Sequence, residues 1–457
     1  MTSRAPGFGW LSIIRIGLVQ AALGSIVVLT TSTLNRIMVV ELALPAVLPG
    51  ALVALHYFVQ ILRPRFGYGS DAGQRRTPWI IGGMAVLGAG GVLAACATAL
   101  MQSSPELGTL AAGIAFVLIG AGVGACGTCL LVLLASGVAP RQRAAAASVT
   151  WIMMIAGFAV TAGVVGAHLD PFTFPRLIAI SVVVALTALI VSALAMRGLE
   201  NRLPAAAPAG AAKPAEPDTG GGFREALMQV LAESHTRLFA GFVFLSMLAY
   251  SAQDLVLEPF AGAVFGFTPG ESTGLGGIQH GGVLAGMIIV ALVGYLASGR
   301  RSNVLRVCMI GGCLGSALIL ASLAVAGTWF PSGWPLRPTV FALGVANGAF
   351  AVAAIGSMMA LVSRGHQRRD GTRMGLWGAA QALAFGMGGV AGTLIVDLVR
   401  HATGSVQYAY STVFGIQACL FTVSAVLAVQ VMRRADGSTA EPVRKTLVPL
   451  SLEAGST

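Results

Sequence analysis

Charge is scarce in this sequence. Asp, Glu, Lys and Arg make up 10% of its 457 residues, against roughly 25% in an average globular protein. A soluble chain of this length cannot cover its surface with so few. Lysine is almost missing: Lys213 and Lys445 stand alone, and every other basic residue is Arg. Cysteine, six in all, is too sparse for a secreted disulfide scaffold. Disorder is excluded for most of the chain, because disorder needs low hydrophobicity. No A-x-A-like site follows the first apolar run, so that run is expected to stay as a span and not to be cleaved as a signal peptide.

What is present is apolar. Hydrophobic residues reach 56% and the mean hydropathy is +0.83. Glycine, at 60 residues, suits transmembrane helices that pack closely. A helix needs ~20 mainly apolar residues to cross the hydrocarbon. On that template the sequence predicts an all-α integral membrane protein of twelve transmembrane helices. In the first half they lie near 11–34, 45–62, 77–101, 108–137, 146–167 and 176–196, and in the second near 237–257, 272–297, 304–327, 338–362, 373–398 and 407–432.

With both termini placed in the cytoplasm, Arg36, Arg176, Arg337 and Arg400 fall outside, and the remaining 24 of the 28 basic residues fall inside. That asymmetry is what the positive-inside rule asks for. The net charge of +11 is therefore expected to face anionic lipid at the cytoplasmic leaflet, which argues against a nucleic-acid partner.

The expected organisation is an N-terminal six-helix bundle over 1–196, a cytoplasmic linker over 197–236, a C-terminal bundle over 237–432 and a cytoplasmic tail over 433–457. Residues 203–222 are rich in Pro, Ala and Gly and read as flexible. Phe223, Leu227, Val230 and Leu231 follow at helical spacing, either as a helix on the membrane surface or as an extension of span seven.

The halves look like repeats. Span two is followed by a turn with Gly67, Asp71, Gly73, Arg75 and Arg76, and span eight by one with Gly294, Ser298, Gly299, Arg300 and Arg301. Two six-helix pseudo-repeats with this loop in equivalent places resemble the major facilitator fold, whose sites lie between the halves near the midplane. The loop departs from the superfamily pattern: no Arg follows Asp71, and Ser298 replaces the acid in the second copy. It supports the fold more firmly than a transport cycle.

Within the spans, the glycines of Gly120-Ala-Gly122-Val-Gly124 follow no strand and read as a packing face, and Cys126 and Cys129 read as small buried residues. His56 and Gln60 share one face of span two, roughly 17 Å below its outer end, and Gln279 and His280 lie roughly 12 Å into span eight. An ionisable group at that depth is a candidate for function. A neutral imidazole can ligate the magnesium of a chlorin or accept a hydrogen bond from a ligand. The alternative is a neutral His bonded to a backbone carbonyl.

A second cluster lies at the outer ends of spans one and seven: Asn35, Arg36 and Glu41 in one, Gln253, Asp254 and Glu258 in the other. Each has an amide beside a charge, then an acid four or five residues on. One reading pairs Arg36 with Asp254 across the cavity mouth, where the cluster gates or shapes the site; the alternative is solvated interfacial charge. The other acids fall in loops or at helix ends, so the interior is expected to be apolar and suited to a large hydrophobic ligand.

Three segments, from Thr33 through Pro45, from Arg63 through Asp71 and from Ser251 through Phe260, resemble the PucC/LhaA family of phototrophic bacteria, also called the bacteriochlorophyll delivery family. The start of the chain looks closer to the LhaA type, linked to the core antenna LH1, than to the PucC type, linked to LH2. The resemblance implies a non-enzymatic assembly factor in the intracytoplasmic photosynthetic membrane that binds or delivers bacteriochlorophyll. Implied partners are the light-harvesting α and β antenna polypeptides, bacteriochlorophyll synthase and reaction-centre assembly intermediates. A secondary transporter of a hydrophobic or tetrapyrrole solute and a pigment-free scaffold for antenna helices remain as alternatives. Exchanging the charges of Arg36 and Asp254 checks the expected gate: rescue of both single defects supports the pairing, and no rescue defeats it.

Overall fold

The computed structural model describes residues 8–63, 66, 75–139, 142–200, 234–297, 301–330, 333–362 and 370–437. Twelve helices run through them: α1 (Trp10–Glu41), α2 (Val47–Leu62), α3 (Thr77–Leu100), α4 (Pro105–Gly137), α5 (Arg143–Leu169), α6 (Phe174–Met196), α7 (Ser234–Phe265), α8 (Pro269–Leu296), α9 (Arg301–Trp329), α10 (Leu336–Val362), α11 (Asp370–Thr403) and α12 (Val406–Gly437). Eleven are long and apolar enough to cross a membrane; α2, over Val47–Leu62, is shorter. Its start is delayed by Pro45 and by Ala43, which sits in the left-handed region at φ 51°, so the chain turns before it can coil.

Packing repeats between the halves. Contacts of α1 with α5 and α6, of α3 with α4 and α6, and of α2 with α4 recur as α7 with α11 and α12, α9 with α10 and α12, and α8 with α10. Each half closes its own apolar core. The halves meet where α2 packs on α11 and α5 packs on α8. A small third core, of Ile155 from α5 with Val283 and Met287 from α8, bridges them, and the two main cores exchange residues: Leu255 of α7 packs into the first, while Val39 and Ala46 pack into the second. These exchanged residues lie at the end of the bundle away from the start of α1, called distal below; the other end is proximal.

Two boundaries depart from expectation in a way that matters. Helix α1 continues past residue 34 to Glu41, with wider, π-helical turns at Leu29–Thr33 and Ile37–Glu41. Helix α7 continues past residue 257 to Phe265. Polar residues that looked like helix ends are thus inside helices, some of them, such as Asn35 and Arg36, bonded by protein groups in place of water. At the chain's other margins, α7 begins at Ser234 and α12 runs to Gly437, so the bundles reach beyond 237 and 432. Gly294 lies within the last turn of α8 and does not lead a turn, and Arg301 opens α9. Gly67, Asp71, Gly73 and Arg300, with the expected linker stretch 203–222 and most of the surface helix, lie outside the described residues. Arg75 is exposed, and Arg76 Nη1 donates to Ser136 Oγ at 3.0 Å.

Helix starts have orphan amides that need acceptors, and here three are supplied from distant sequence. Asp397 of α11 accepts from Ala46 N at 2.9 Å and Val47 N at 2.7 Å, capping α2. Asp170, just after α5, accepts from Gly270 N at 3.1 Å and from the Thr268 hydroxyl, capping α8. Since α5 corresponds to α11 and α2 to α8, these are equivalent caps, and each crosses from one half to the other at the distal end. At the proximal end, Glu200 accepts from Arg76 N at 2.6 Å, Thr77 N at 3.0 Å and Thr77 Oγ1 at 2.6 Å.

Burial pushes the Glu200 carboxyl up, but the Thr77 hydroxyl, the two amides and the Arg76 charge outweigh it and hold it below its ordinary range. Its contribution to stability is therefore full above the ordinary carboxylate range and is lost as pH falls through the lower folded value. Glu200→Gln should flatten the acid limb of a thermal-stability profile. Asp397→Ala should lower stability by about 1 kcal/mol, the usual loss for an N-cap, as read from unfolding in detergent.

Candidate functional site

The site is best built from a proline. Pro259 lies inside α7, and a proline there has no N–H for the carbonyl four residues earlier. That carbonyl belongs to Leu255, and Asn35 Nδ2 of α1 donates to it at 2.6 Å in a buried setting. The side chain of one half thus completes the backbone of the other. One residue on, Arg36 is 2% exposed. Its guanidinium bonds Glu41 and donates to Phe267 O at 2.7 Å. A Cβ on Gly262 would lie 2.9 Å from Arg36 Nη2, so the guanidinium rests directly on α7. The acid bonded to Arg36 is Glu41 of its own helix and not Asp254, which corrects the expected cross-cavity pair. A residue five positions away on the same wide-turned helix is already within reach.

Below this lock the interior holds buried carboxyls, where the acids were expected in loops or at helix ends. Glu258 is 2% exposed, and neither carboxylate oxygen has a hydrogen-bond partner by geometry. Gly276 of α8 and Thr273, which interacts with Glu258, face it. Asp254 lies within range of Gln279. Gln253 Oε1 accepts from Asn347 Nδ2 at 3.2 Å, and Asn347 Oδ1 accepts from Ser316 Oγ at 2.8 Å, which places Gln253 in a buried amide network of α7, α9 and α10.

The histidines occupy different seams. His56 Nδ1 lies 2.9 Å from Val53 O, and His280 Nδ1 lies 2.8 Å from Gly276 O. A carbonyl only accepts, so each Nδ1 carries the proton and each neutral ring presents Nε2 as its lone-pair atom. His280 meets Phe158 of α5 edge-on at 5.0 Å. His56 lies against Tyr57, ring centroids 4.2 Å apart. Gln60 Oε1 is bonded by Arg63. No contact among the described residues joins the two His–Gln pairs.

Sequence reading missed an aromatic seam. Tyr57 of α2 lies 5.7 Å from Phe385 of α11, and Phe385 lies 6.1 Å from Tyr250 of α7. All three are half-buried, and Asp254 lies within electrostatic range of both tyrosines. The row continues from Tyr250 to Phe350 at 6.5 Å and to Phe421 at 5.5 Å. Tyr250 and Asp254 share a helix face at i and i+4, a signal present in the sequence. The partnership with Phe385 is not, because only packing of α7 on α11 creates it. A separate apolar cavity of about 320 Å³ opens beside Trp79, Gly82 and Gly122 on α3 and α4, and one of about 210 Å³ lies distally beside Val39, Asp397 and Tyr410. Among the described residues there is no group of three or more His, Cys, Asp or Glu placed to hold a metal ion.

The family model described as PUCC protein matches residues 33–436. A chain of Rhodobacter capsulatus described as bacteriochlorophyll synthase 44.5 kDa chain is 52% identical over 424 residues, covering 93% of this chain and 96% of its own. Protein PucC of Rhodobacter capsulatus is 29% identical, with 92% of each chain covered. Among solved structures, the nucleoside transporter NupG matches with TM-score 0.65 at 13% identity, covering 92% of this chain and 99% of that one. A D-xylose-proton symporter matches with TM-score 0.65 at 15% identity, covering 92% and 97%. These likenesses show the major facilitator fold.

The proline account makes a sharp prediction. Asn35→Leu leaves the Leu255 carbonyl without a donor and should cost about 1–3 kcal/mol. Adding Pro259→Ala returns an N–H to that carbonyl and should restore most of the loss in thermal unfolding. Likewise, exchanging Arg36 with Glu41 should rescue single defects, whereas exchanging Arg36 with Asp254 should not.

Proposed function

The chain belongs to the PUCC protein family, and from that premise we propose that it is an assembly factor for bacterial light-harvesting antenna complexes, LH1 before LH2, which binds bacteriochlorophyll and passes it to antenna polypeptides. The observation that carries the reading is the aromatic seam of Tyr57, Phe385 and Tyr250, contiguous with the His56 ring. Aromatic faces suit a flat macrocycle, and His56 Nε2 is the lone-pair atom beside them for a chlorin magnesium or a hydrogen-bond donor. The seam draws on α2 from one half and α7 and α11 from the other, so movement between the halves would open or break it. The name of the 52% identical relative, a bacteriochlorophyll synthase chain, is in keeping with pigment contact. We read the role here as holding and delivery without catalysis, in the intracytoplasmic membrane with both termini cytoplasmic, alongside antenna α and β helices, the pigment-esterifying enzyme and reaction-centre intermediates.

One observation favours a second reading, a secondary transporter of a hydrophobic or tetrapyrrole solute. Asp254 and Glu258 place ionisable groups inside the bundle, where transporters of this fold keep theirs.

Absorption spectra of the protein purified in mild detergent from a phototrophic host test the first reading. A stoichiometric near-infrared pigment band is expected, lost in Tyr57→Leu and Tyr250→Leu and shifted or lost in His56→Ala. His280→Ala should leave it in place. Absence of pigment from wild type would turn the reading to a scaffold for antenna helices. Solute-dependent flux in liposomes would turn it to the transporter.

A further inference from the structure

We propose that Glu258 binds a single monovalent cation, a proton or a sodium ion, at the junction of α1, α7 and α8 beneath the distal lock. Three helices converge there at matching depth. Counted from the distal helix ends, Glu258 lies roughly 10 Å down α7, Gly276 roughly 10 Å down α8 and Thr33 roughly 12 Å down α1. A Cβ on Gly276 would lie 2.6 Å from Glu258 Oε1, so the absence of a side chain on α8 is what gives the carboxylate its place. Thr273, one turn nearer the distal end of α8, interacts with Glu258, and its hydroxyl lies 3.3 Å from that of Thr33. Thr33 closes the wide turn Leu29–Thr33 of α1, and such π-helical turns gather at functional sites.

The polar atoms gathered here are short of donors. By hydrogen-bond geometry both Glu258 oxygens and Asn35 Oδ1 are buried without a partner; the Thr273 hydroxyl lies close enough to act on the carboxylate without meeting that geometry, and the amide nitrogen of Asn35 is spent on Leu255 O. Of the nearby charges Arg36 alone acts on Glu258 favourably, and no hydrogen bond joins its guanidinium to either carboxylate oxygen. Arg36 is committed to Glu41 and Phe267 O. Asp254, one turn below, is a second buried carboxyl within electrostatic range of the first. From α8, Glu271 is held at the mouth by Thr268 N and Arg337, and from α11 the Asp397 carboxylate is taken by two amides. An ionised carboxylate cannot remain in such a setting without a counter-group. A proton makes it neutral; a sodium ion takes hard oxygen ligands from the carboxylate and the threonine hydroxyls.

Occupancy of this site would act on the lock. Arg36 Nε is buried without a partner, and an emptied, charged Glu258 offers it one. Arg36 would then be drawn from Glu41 and Phe267 O, the bonds that close the distal end. The inference is independent of pigment.

The experiment uses the full-length protein in lipid nanodiscs and reads its thermal unfolding midpoint. Sodium chloride is titrated against choline chloride at constant ionic strength, and pH is varied without sodium. If the cation is sodium, wild type gains stability with sodium but not with choline, and Thr273→Val shifts the half-effect concentration upward by roughly tenfold. If it is a proton, stability falls as pH rises whether or not sodium is present. Glu258→Gln should abolish either response. Should that variant not fold, Glu258→Asp, which withdraws the carboxylate from Thr273, must weaken the response. A wild type indifferent to both ions, or a response unchanged in the Glu258 variants, overturns the proposal.

Discussion

The Leu255 carbonyl and the Asn35 carboxamide meet because Pro259 has no N–H to give. A buried carbonyl left without a donor is costly, and α7 cannot satisfy this one from within. The donor comes from α1, in the other half of the molecule. Much of the distal end follows from that bond. It sets the height of α1 against α7, which brings Arg36 onto Gly262 and under Phe267 O, and Thr33 against Thr273. It also lets α1 and α7 run on as helices through residues that would otherwise seek water.

The two halves are otherwise nearly self-contained. Each has its own core and its own network of helix contacts. The side-chain hydrogen bonds from Asn35, Arg36, Thr273, Asp170 and Asp397 that cross between halves lie toward the distal end, with Asp170 and Asp397 as equivalent carboxylates reaching opposite helices. The halves also pack along α2 on α11 and α5 on α8, and cross-bonds gathered at one end of that packing suit a rocking of the halves about the seam. The aromatic row from Tyr57 to Tyr250 lies on that seam, and any ligand resting on it would be exposed or released by the same movement.

The interior combines features that composition does not reveal together. Flat aromatic surface, an imidazole lone pair and buried carboxylates share the space between the halves. The first two suit a macrocycle. The carboxylates suit a mobile cation, and they stand next to the bonds that hold the distal end shut. On the proposed role, uptake and release of a hydrophobic pigment need both a surface and a trigger, and here Tyr250 and Glu258 stand about two turns of α7 apart.

Scarce charge, long apolar runs and the arginine asymmetry were enough to read a helical membrane protein of two six-helix halves, because the cost of burying backbone and charge in lipid leaves few other solutions. The segments around Asn35 and Asp254 were legible as important for the same reason: polar residues in apolar runs need an explanation. What the sequence did not reveal was their partners. Arg36 was free in sequence to choose Glu41, Glu258 or Asp254, and only the wide turns of α1 put Glu41 in reach. The ends of α1 and α7 were misplaced because water and a distant protein group are interchangeable as hydrogen-bond partners in a sequence, and only the fold shows which is present. The seam of Tyr57, Phe385 and Tyr250 and the caps from Asp170 and Asp397 join residues between about 100 and 350 positions apart. Such contacts are set by helix packing alone, and local pattern carries no trace of them.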